Sequence, residues 1–203
     1  VMFTGIITEL GTNESLEIGE GLSRIAISGP KTTRDLAQGD SVAVNGVCLT
    51  VVGIDGEVFH VEAVAETMDR TSLGSLRVGG SANLERPMSA AGRFDGHIVQ
   101  GHVDGVGTIV DLTPDGSSMR VRIAMPSELA RYVVEKGSVC IDGVSLTVTA
   151  VSRRDSDLAW FEFVVIPHTL DVTVLGTKEV GDPVNLEVDV IAKYVERLVG
   201  GDG

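Results

Sequence analysis

The chain has 203 residues, of which 43% are hydrophobic, and its formal net charge is −13. A surface this acidic repels phosphate backbones and anionic lipid headgroups, so nucleic-acid binding and membrane binding are not expected. No apolar run approaches the roughly 20 residues of a membrane span, and two cysteines are too few for a disulfide framework. The first residues lack the pattern of a signal peptide, so a cytoplasmic location is expected.

Two stretches of the chain are nearly identical. GVCLTV at 46–51 returns as GVSLTV at 143–148, an offset of 97. NLE at 83–85 returns at 185–187, an offset of 102, and ETMDRTSLG has a counterpart in HTLDVTVLG at that same offset. These matches indicate a tandem duplication.

The change of offset from 97 to 102 predicts a five-residue insertion in the second copy. The polar stretch 152–157 is the natural place, because the first copy has a tight Asp-Gly turn at 55–56. The copies then occupy about 1–90 and 98–190, joined by the linker 89–96. Each copy is long enough to be a small domain.

The elements within each copy are predicted to be mostly short antiparallel strands, since glycine is frequent and valine abundant. Short helices are predicted at 32–39 and 127–137, beginning at a Thr and a Ser N-cap respectively and each ended by glycine. Between them, Asn45-Gly46 predicts a type I′ hairpin turn. A last helix is predicted at about 190–199, with an apolar stripe suited to packing against another helix, formed by Ile191, Val195 and Leu198.

The two-residue period of a strand separates core from site in the repeated hexapeptide. In the first copy Cys48 and Thr50 lie on the face opposite to the valines and leucine, which are Val47, Leu49 and Val51. In the second copy Ser145 and Thr147 alternate in the same way with Val144, Leu146 and Val148. Outward strand positions are often polar without any function. The duplicated pair nevertheless favours a site, whose walls must come from the other copy or from another subunit.

Two histidines are candidates for metal ligands or site residues. His97 and His102 are five residues apart and lie near no other His or Cys, so no metal site is predicted. His102 follows Gly101, which permits close approach of the backbone to a ligand. A histidine at an ordinary turn explains the same pattern.

Three further positions are candidates with simple structural alternatives. Glu66-Thr67 and His168-Thr169 are equivalent in the two copies and could bind hydroxyl groups, or merely cap a turn. Asp189 has no acidic counterpart in the first copy, and such a carboxylate is usually solvated. Signatures of nucleotide binding, serine hydrolases and metalloproteases are absent from the sequence. The residues alone thus predict a duplicated β-barrel protein with two hydroxyl-rich pockets for two copies of one small ligand.

Six motifs resemble the riboflavin synthase family in order and spacing: MFTGI, NGVCLTV, ETMDRTSLG, GHIVQGHVDG, IDGVSLTV and IPHTLDVTVLG. The resemblance implies an all-β fold of two six-stranded Greek-key barrels followed by a C-terminal helix. It implies a homotrimer with each active site between the first barrel of one subunit and the second barrel of a neighbour. It also implies dismutation of two 6,7-dimethyl-8-ribityllumazine molecules into riboflavin and 5-amino-6-ribitylaminouracil, without a metal or cofactor. An association with lumazine synthase is left open.

The resemblance divides the chain at 1–96, 97–189 and 190–203, the last being a trimerisation helix and tail. In the first-barrel site it places Gly5, Ile6, Ile7, Cys48, Leu49, Thr50, Glu62, Ala63, Val64, Ala65, Glu66, Thr67, Gly101, His102 and Val103. In the second-barrel site it places Lys136, Ser145, Leu146, Thr147, Val164, Val165, Ile166, Pro167, His168 and Thr169. The positions implied to matter for catalysis are Phe3, Cys48, His102, Ser145, Thr147 and Asp189. His102 or a bound hydroxyl is expected to handle the 7-methyl proton of the donor, and Cys48 or Ser145 to assist addition to the acceptor.

Two other functions fit parts of the pattern. A non-catalytic lumazine-binding antenna protein shares the duplicated fold, but is expected to keep polar site residues in one copy only. A flavin-dependent reductase has a similar barrel but needs an additional nucleotide-binding domain. Two departures from the family concern the sites: Val1 precedes the MF start, and His168 stands where the first copy has Glu66.

Overall fold

The computed structural model describes residues 1–153 and 156–199. The first half of the chain forms a closed antiparallel barrel in the order β1-β2-β5-β4-β3-β6. Its strands are β1 (Glu9–Glu17), β2 (Leu22–Ser28), β3 (Ser41–Val44), β4 (Val47–Asp55), β5 (Val58–Val64) and β6 (Ser81–Glu85).

The second half forms a closed barrel whose strands neighbour each other in the equivalent order. Its strands are β7 (Gly105–Asp115), β8 (Ser118–Ala124), β9 (Ser138–Ile141), β10 (Val144–Val151), β11 (Trp160–Val165) and β12 (Pro183–Val188). The expectation of two six-stranded all-β barrels is confirmed. The longer connection in the second copy joins β10 to β11, as the change of offset predicts, although residues 154 and 155 within it lie outside the described part.

Helical segments are short, and two of them differ from expectation. The predicted helices 32–39 and 127–137 are 3₁₀-helices over only Thr33–Asp35 and Ser127–Tyr132. Equivalent helices that the sequence reading treated as turns follow the fifth strand of each barrel, α1 (Ala65–Arg70) and α2 (Pro167–Val172).

The predicted final helix is confirmed as α3 (Val190–Val199). It is held to the second barrel, since Lys193 Nζ lies 2.6 Å from Asp104 Oδ1 and Glu196 contacts both Arg131 and Tyr132. Residues 200–203 of the predicted tail lie outside the described part. No helix in the described ranges has the length and apolarity to cross a membrane.

The alternation read from the hexapeptides is confirmed. The core of the first barrel contains Val47, Leu49 and Val51, while Cys48 is half-buried and Thr50 is exposed on the outer face. The second core contains Val144 and Val148, with Leu146 packed against it and Thr147 exposed outside.

The two barrels contact each other through equivalent hairpin turns. Asn45-Gly46 has φ of 44° and 75°, and Asp142-Gly143 has φ of 45° and 83°. Positive φ at both central residues is the type I′ geometry. The turns touch so closely that a Cβ on Gly46 would lie 2.6 Å from the backbone nitrogen of Gly143. Only glycine fits at this contact, so the seam between the barrels is built from the repeated turn.

Side-chain amides cross the seam in both directions. Asn83 Nδ2 donates to Asp142 O at 2.8 Å, and Asn185 Nδ2 donates to Asn45 O at 2.8 Å. The two asparagines are the N of the repeated NLE and are almost completely buried. Because buried polar groups are costly unless paired, these reciprocal bonds fix the orientation of one barrel on the other.

Candidate active site

An open cleft of about 380 Å³ lies beside Cys48 on the outside of the first barrel. His102 is exposed at this cleft. The lining combines a thiol, an imidazole, hydroxyls and charged groups: Val47, Cys48, Glu66, Thr67, Arg70, Thr71, Gly101, His102, Val103 and Asp104. A cleft with convergent polar groups beside two apolar side chains, Val47 and Val103, suits a small polar ligand. The structure therefore brings together Cys48, Glu66, Thr67 and Gly101–Val103, as the first-barrel assignment expects.

The equivalent position of the second barrel carries a histidine–serine pair. His97 Nδ1 lies 2.7 Å from Ser145 Oγ. His97 is buried, and its Nε2 has no hydrogen-bond partner among the described residues. The carboxylate of Asp189 is close enough to act on the imidazole charge. Asp189 Oδ1 also accepts from Ile191 N at 2.9 Å, which links this site to the start of α3.

Each site is bordered by a short glycine segment, Thr4–Gly5 beside Ser145 and Gln100–His102 beside Cys48, and the two segments have the same geometry. Gly5 and Gly101 both have φ of 76°. Ser145 N donates to Gly5 O at 2.8 Å, and Cys48 N donates to Gly101 O at 2.9 Å. A Cβ on either glycine would come within 2.8 Å of the facing residue, so a larger residue is excluded.

This geometry corrects the assignment of residues 5–7. They were expected in the first-barrel site, but Gly5 pairs with Ser145 and Ile7 packs against the second core. Val103 packs correspondingly against the first core. The segment that enters each barrel therefore lies against the other barrel. The hydrophobic periodicity within one copy does not predict that its entering segment contacts the other barrel.

The environments of the two candidate nucleophiles affect protonation differently. Burial raises the pKa of the Cys48 thiol, against a hydrogen bond with Ser41 that lowers it. Cys48 is therefore held as a neutral thiol. Burial lowers the pKa of His97, against the carboxylate of Asp189 that raises it. A neutral imidazole is the form that accepts the proton of the Ser145 hydroxyl.

Several predicted site residues contribute backbone or support rather than a side chain. Phe3 is completely buried beside Cys48 in the seam, so it supports the site from behind. The side chains of four others point into the barrel cores or pack against them: Leu49, Ala63, Leu146 and Val165. The remaining residues of the β5–α1 and β11–α2 junctions are exposed or half-buried: Glu62, Val64, Ala65, Val164, Ile166, Pro167, His168 and Thr169.

Lys136 occupies a backbone conformation that is unusual for lysine. Its φ is 65°, and its N–H donates to Val148 O at 2.8 Å. Gly39 has the same role in the first barrel, with φ of 93° and an N–H that donates to Val51 O. The second barrel therefore has a lysine at a turn position where the first barrel has glycine, in the left-handed region that favours glycine.

His97 is the residue that the sequence reading placed outside the site. The sequence pattern relates it only to His102, as a metal ligand, whereas its contact with Ser145 spans 48 positions. Within the described part of the chain, no three His, Cys, Asp or Glu side chains form a group that could hold a metal ion. One feature of the sequence could have pointed to His97. It lies in the segment that precedes Gly101, and this segment corresponds to no strand of either barrel.

Comparison with known proteins agrees with this architecture. The lumazine binding domain matches twice, at residues 4–87 and 100–189. The chain is 51% identical to riboflavin synthase of Mycobacterium tuberculosis (strain ATCC 25618 / H37Rv) over 204 aligned positions, covering 100% of both proteins. It is 40% identical to riboflavin synthase of Bacillus subtilis (strain 168), covering 98% of this chain and 90% of that protein.

Solved structures with the same architecture hold related ligands. LumP complexed with 6,7-dimethyl-8-(1'-D-ribityl) lumazine superposes with a TM-score of 0.81 at 26% identity, covering 92% of this chain and 99% of that one. LumP complexed with riboflavin gives a TM-score of 0.81 at 28% identity, with the same coverage. With two matched domains and full-length relatives at this identity, the chain belongs to the lumazine-binding-domain family that includes the riboflavin synthases.

Proposed function

We propose that the protein is a riboflavin synthase, a transferase that converts two 6,7-dimethyl-8-ribityllumazine molecules into riboflavin and 5-amino-6-ribitylaminouracil. The observation that carries this proposal is the presence of two sites of one design on a single chain. Each has an outward hydroxyl or thiol on the fourth strand, Ser145 or Cys48, bordered by a glycine segment. One lumazine gives a four-carbon unit and an identical lumazine accepts it, so the reaction needs two matching sites.

Orientation supplies a large part of the rate in such a reaction. Two bound rings held in reactive contact gain about 7–11 kcal/mol over free encounter. Because the two sites differ in their side chains, we give them different roles in the reaction. In the second barrel the Ser145–His97 pair relays a proton between the bound lumazine and a neutral imidazole. In the first barrel Cys48 and His102 face the cleft, where they assist addition of a nucleophile to the acceptor.

The assembly we propose is a homotrimer whose active sites lie between subunits. The cleft beside Cys48 is open in the single chain, and α3 carries an apolar stripe that no described residue covers. Its members are between 53% and 83% exposed: Ile191, Tyr194, Val195, Leu198 and Val199. The domain boundaries at 96 and 189 and an association with lumazine synthase stay proposals. We also propose a cytoplasmic location, where the free thiols of Cys48 and Cys140 persist.

The experiment that tests the function uses the purified protein and the lumazine alone. Riboflavin should form with no added reductant or metal, with one riboflavin for two lumazines consumed. Tight binding without product would replace the enzyme by an antenna protein, the function suggested by the likeness to LumP. Polar residues at both sites, including the Ser145–His97 pair, favour the enzyme.

A further inference from the structure

Two buried glutamates have equivalent places in the two barrels. Glu85 ends β6 and Glu187 lies in β12, and each is the E of the repeated NLE. They are only 4% and 3% exposed, and neither forms an ion pair with another described residue. Glutamate is seldom buried without a partner, so the hydrogen bonds of these two side chains require an account.

Both carboxylates accept hydrogen bonds from consecutive residues of a glycine segment. Glu85 accepts from Thr4 N at 2.7 Å, Thr4 Oγ1 at 3.0 Å and Gly5 N at 3.0 Å. Glu187 accepts from Gln100 N at 2.6 Å, Gly101 N at 2.9 Å and His102 N at 3.0 Å. Burial raises the pKa of both carboxyl groups, and these backbone donors oppose it. A carboxylate is the side chain that can accept from all three converging donors.

The segments held in this way cross to the opposite barrel. Glu187 belongs to the second barrel, but Gly101 accepts from Cys48 N of the first. Glu85 belongs to the first barrel, but Gly5 accepts from Ser145 N of the second. Two hydrogen bonds therefore connect each glutamate to the reactive residue of the other barrel.

We propose that Glu85 and Glu187 are positioning residues, through which each barrel fixes the geometry of the reactive site on the other. The proposal rests on the proposed function only for its kinetic consequence. Glutamine at either position presents an NH₂ group to backbone N–H donors, so part of the glycine segment loses its partner. The segment then shifts against Cys48 or Ser145 although no group that touches the ligand has changed.

The kinetic test compares E187Q and E85Q with a matched control. Glu9 is also a buried glutamate, but it accepts from Lys31 N, Thr32 N and Thr32 Oγ1, which neither line the cleft nor belong to the two glycine segments. E187Q and E85Q should lower kcat at least tenfold. E9Q should keep kcat within twofold of wild type, even with an equal loss of unfolding free energy. Equal kcat values in all three variants would overturn the proposal.

A second readout resolves the two sites without turnover. Cys48 borders the cleft and Cys140 is fully buried, so iodoacetamide alkylation of the folded protein reports on Cys48. E187Q should raise the alkylation rate at least threefold, because it loosens Gly101 and removes a carboxylate near the thiol. E85Q should leave the rate unchanged. Equal rates in both variants would contradict the crossed arrangement.

The two readouts separate failure of the inference from failure of the proposed function. A wild-type protein that forms no riboflavin would overturn the function, while the alkylation contrast would still decide the positioning role. Where E187Q does not fold, E187D replaces it. That variant keeps the charge but shortens the side chain by one methylene, and it should change alkylation in the same direction, an unchanged rate again counting against the proposal.

Discussion

His97 Nδ1 lies within hydrogen-bond distance of Ser145 Oγ, at 2.7 Å, although the two residues come from different parts of the chain. Cys48 is hydrogen-bonded with Ser41 rather than with an imidazole, and burial raises the pKa of its thiol, so that it keeps its proton. One nucleophile is therefore coupled to a base and the other is not. The replacement of Cys48 by Ser145 in the second copy corresponds to this difference in environment.

Removing the Ser145 hydroxyl should impair turnover more than folding. We expect S145A to lower kcat by about 10²-fold or more, the usual contribution of a general acid–base pair. The unfolding free energy should fall by only about 1 kcal/mol, the net value of one hydrogen bond. Stopped-flow measurement of lumazine consumption and urea unfolding test the two parts. A threonine variant, S145T, keeps the hydroxyl and should retain more activity than S145A, and equal rates would contradict the role of the hydroxyl.

Stability should depend on pH through His97. Its folded-state pKa is lowered below the ordinary 6.5, because burial disfavours the charged ring. Below pH 6.5 the unfolded chain therefore binds a proton that the folded chain does not. The unfolding free energy should fall as the pH decreases from 6.5 through the folded-state pKa, and this contribution should be fully present above 6.5.

Urea unfolding at a series of pH values checks this behaviour. H97Q should flatten the profile in that window. Replacement of the exposed His60 by glutamine provides the control, and that variant should keep the wild-type profile. The interpretation would be wrong if H97Q and wild type had parallel profiles.

Alanine at Gly5 or Gly101 should be far more disruptive than at Gly56 or Gly116, which are also glycines of positive φ. The added Cβ would meet Ser145 Cβ at 2.7 Å or Cys48 Cβ at 2.6 Å. Gly56 and Gly116 have φ of 61° and 64° but have open space around them. G56A and G116A should cost about 1–2 kcal/mol, from backbone strain alone.

G5A and G101A should add about 1–3 kcal/mol for overpacking. They should also lower kcat by about 10²-fold, since a displacement near 1 Å at a reacting group has that effect. Thermal unfolding and kinetics of the four variants make the comparison. Equal effects at all four positions would show that the glycine segments do not define the sites.

A charge on the exposed face of α3 should separate the subunits. Leu198 is 83% exposed in the single chain, so L198E should leave the stability of each subunit nearly unchanged. Light scattering should show about three times 21.3 kDa for wild type and a single chain mass for L198E. R197Q, a change at the adjacent exposed residue, should keep the trimer. A wild type of single chain mass would refute the trimer and its shared site.

The features that the sequence could predict are those set by local pattern. The repeat and the strand period placed Cys48 and Thr50 outside a closed barrel, and Asn45-Gly46 has the predicted turn. The pairing of His97 with Ser145 and of Gly5 with the second barrel depends on how the two barrels dock. Docking is decided at the seam, by residues distant along the chain. The helix predicted at 32–39 is only a short 3₁₀-helix, because the backbone is already extended at Leu36.

The reciprocal amide bonds at the seam have a consequence for the origin of the chain. Asn83 reaches the turn of the other barrel as Asn185 reaches the turn of the first, which is the rule of an isologous twofold interface. One barrel thus carries both halves of the contact, an arrangement that would let two identical single copies pair as a symmetric dimer. Fusion into one polypeptide leaves that dimer intact but frees its two halves to mutate separately. A thiol on one side and a histidine-coupled hydroxyl on the other are the asymmetry that a dimer of identical chains is unable to encode.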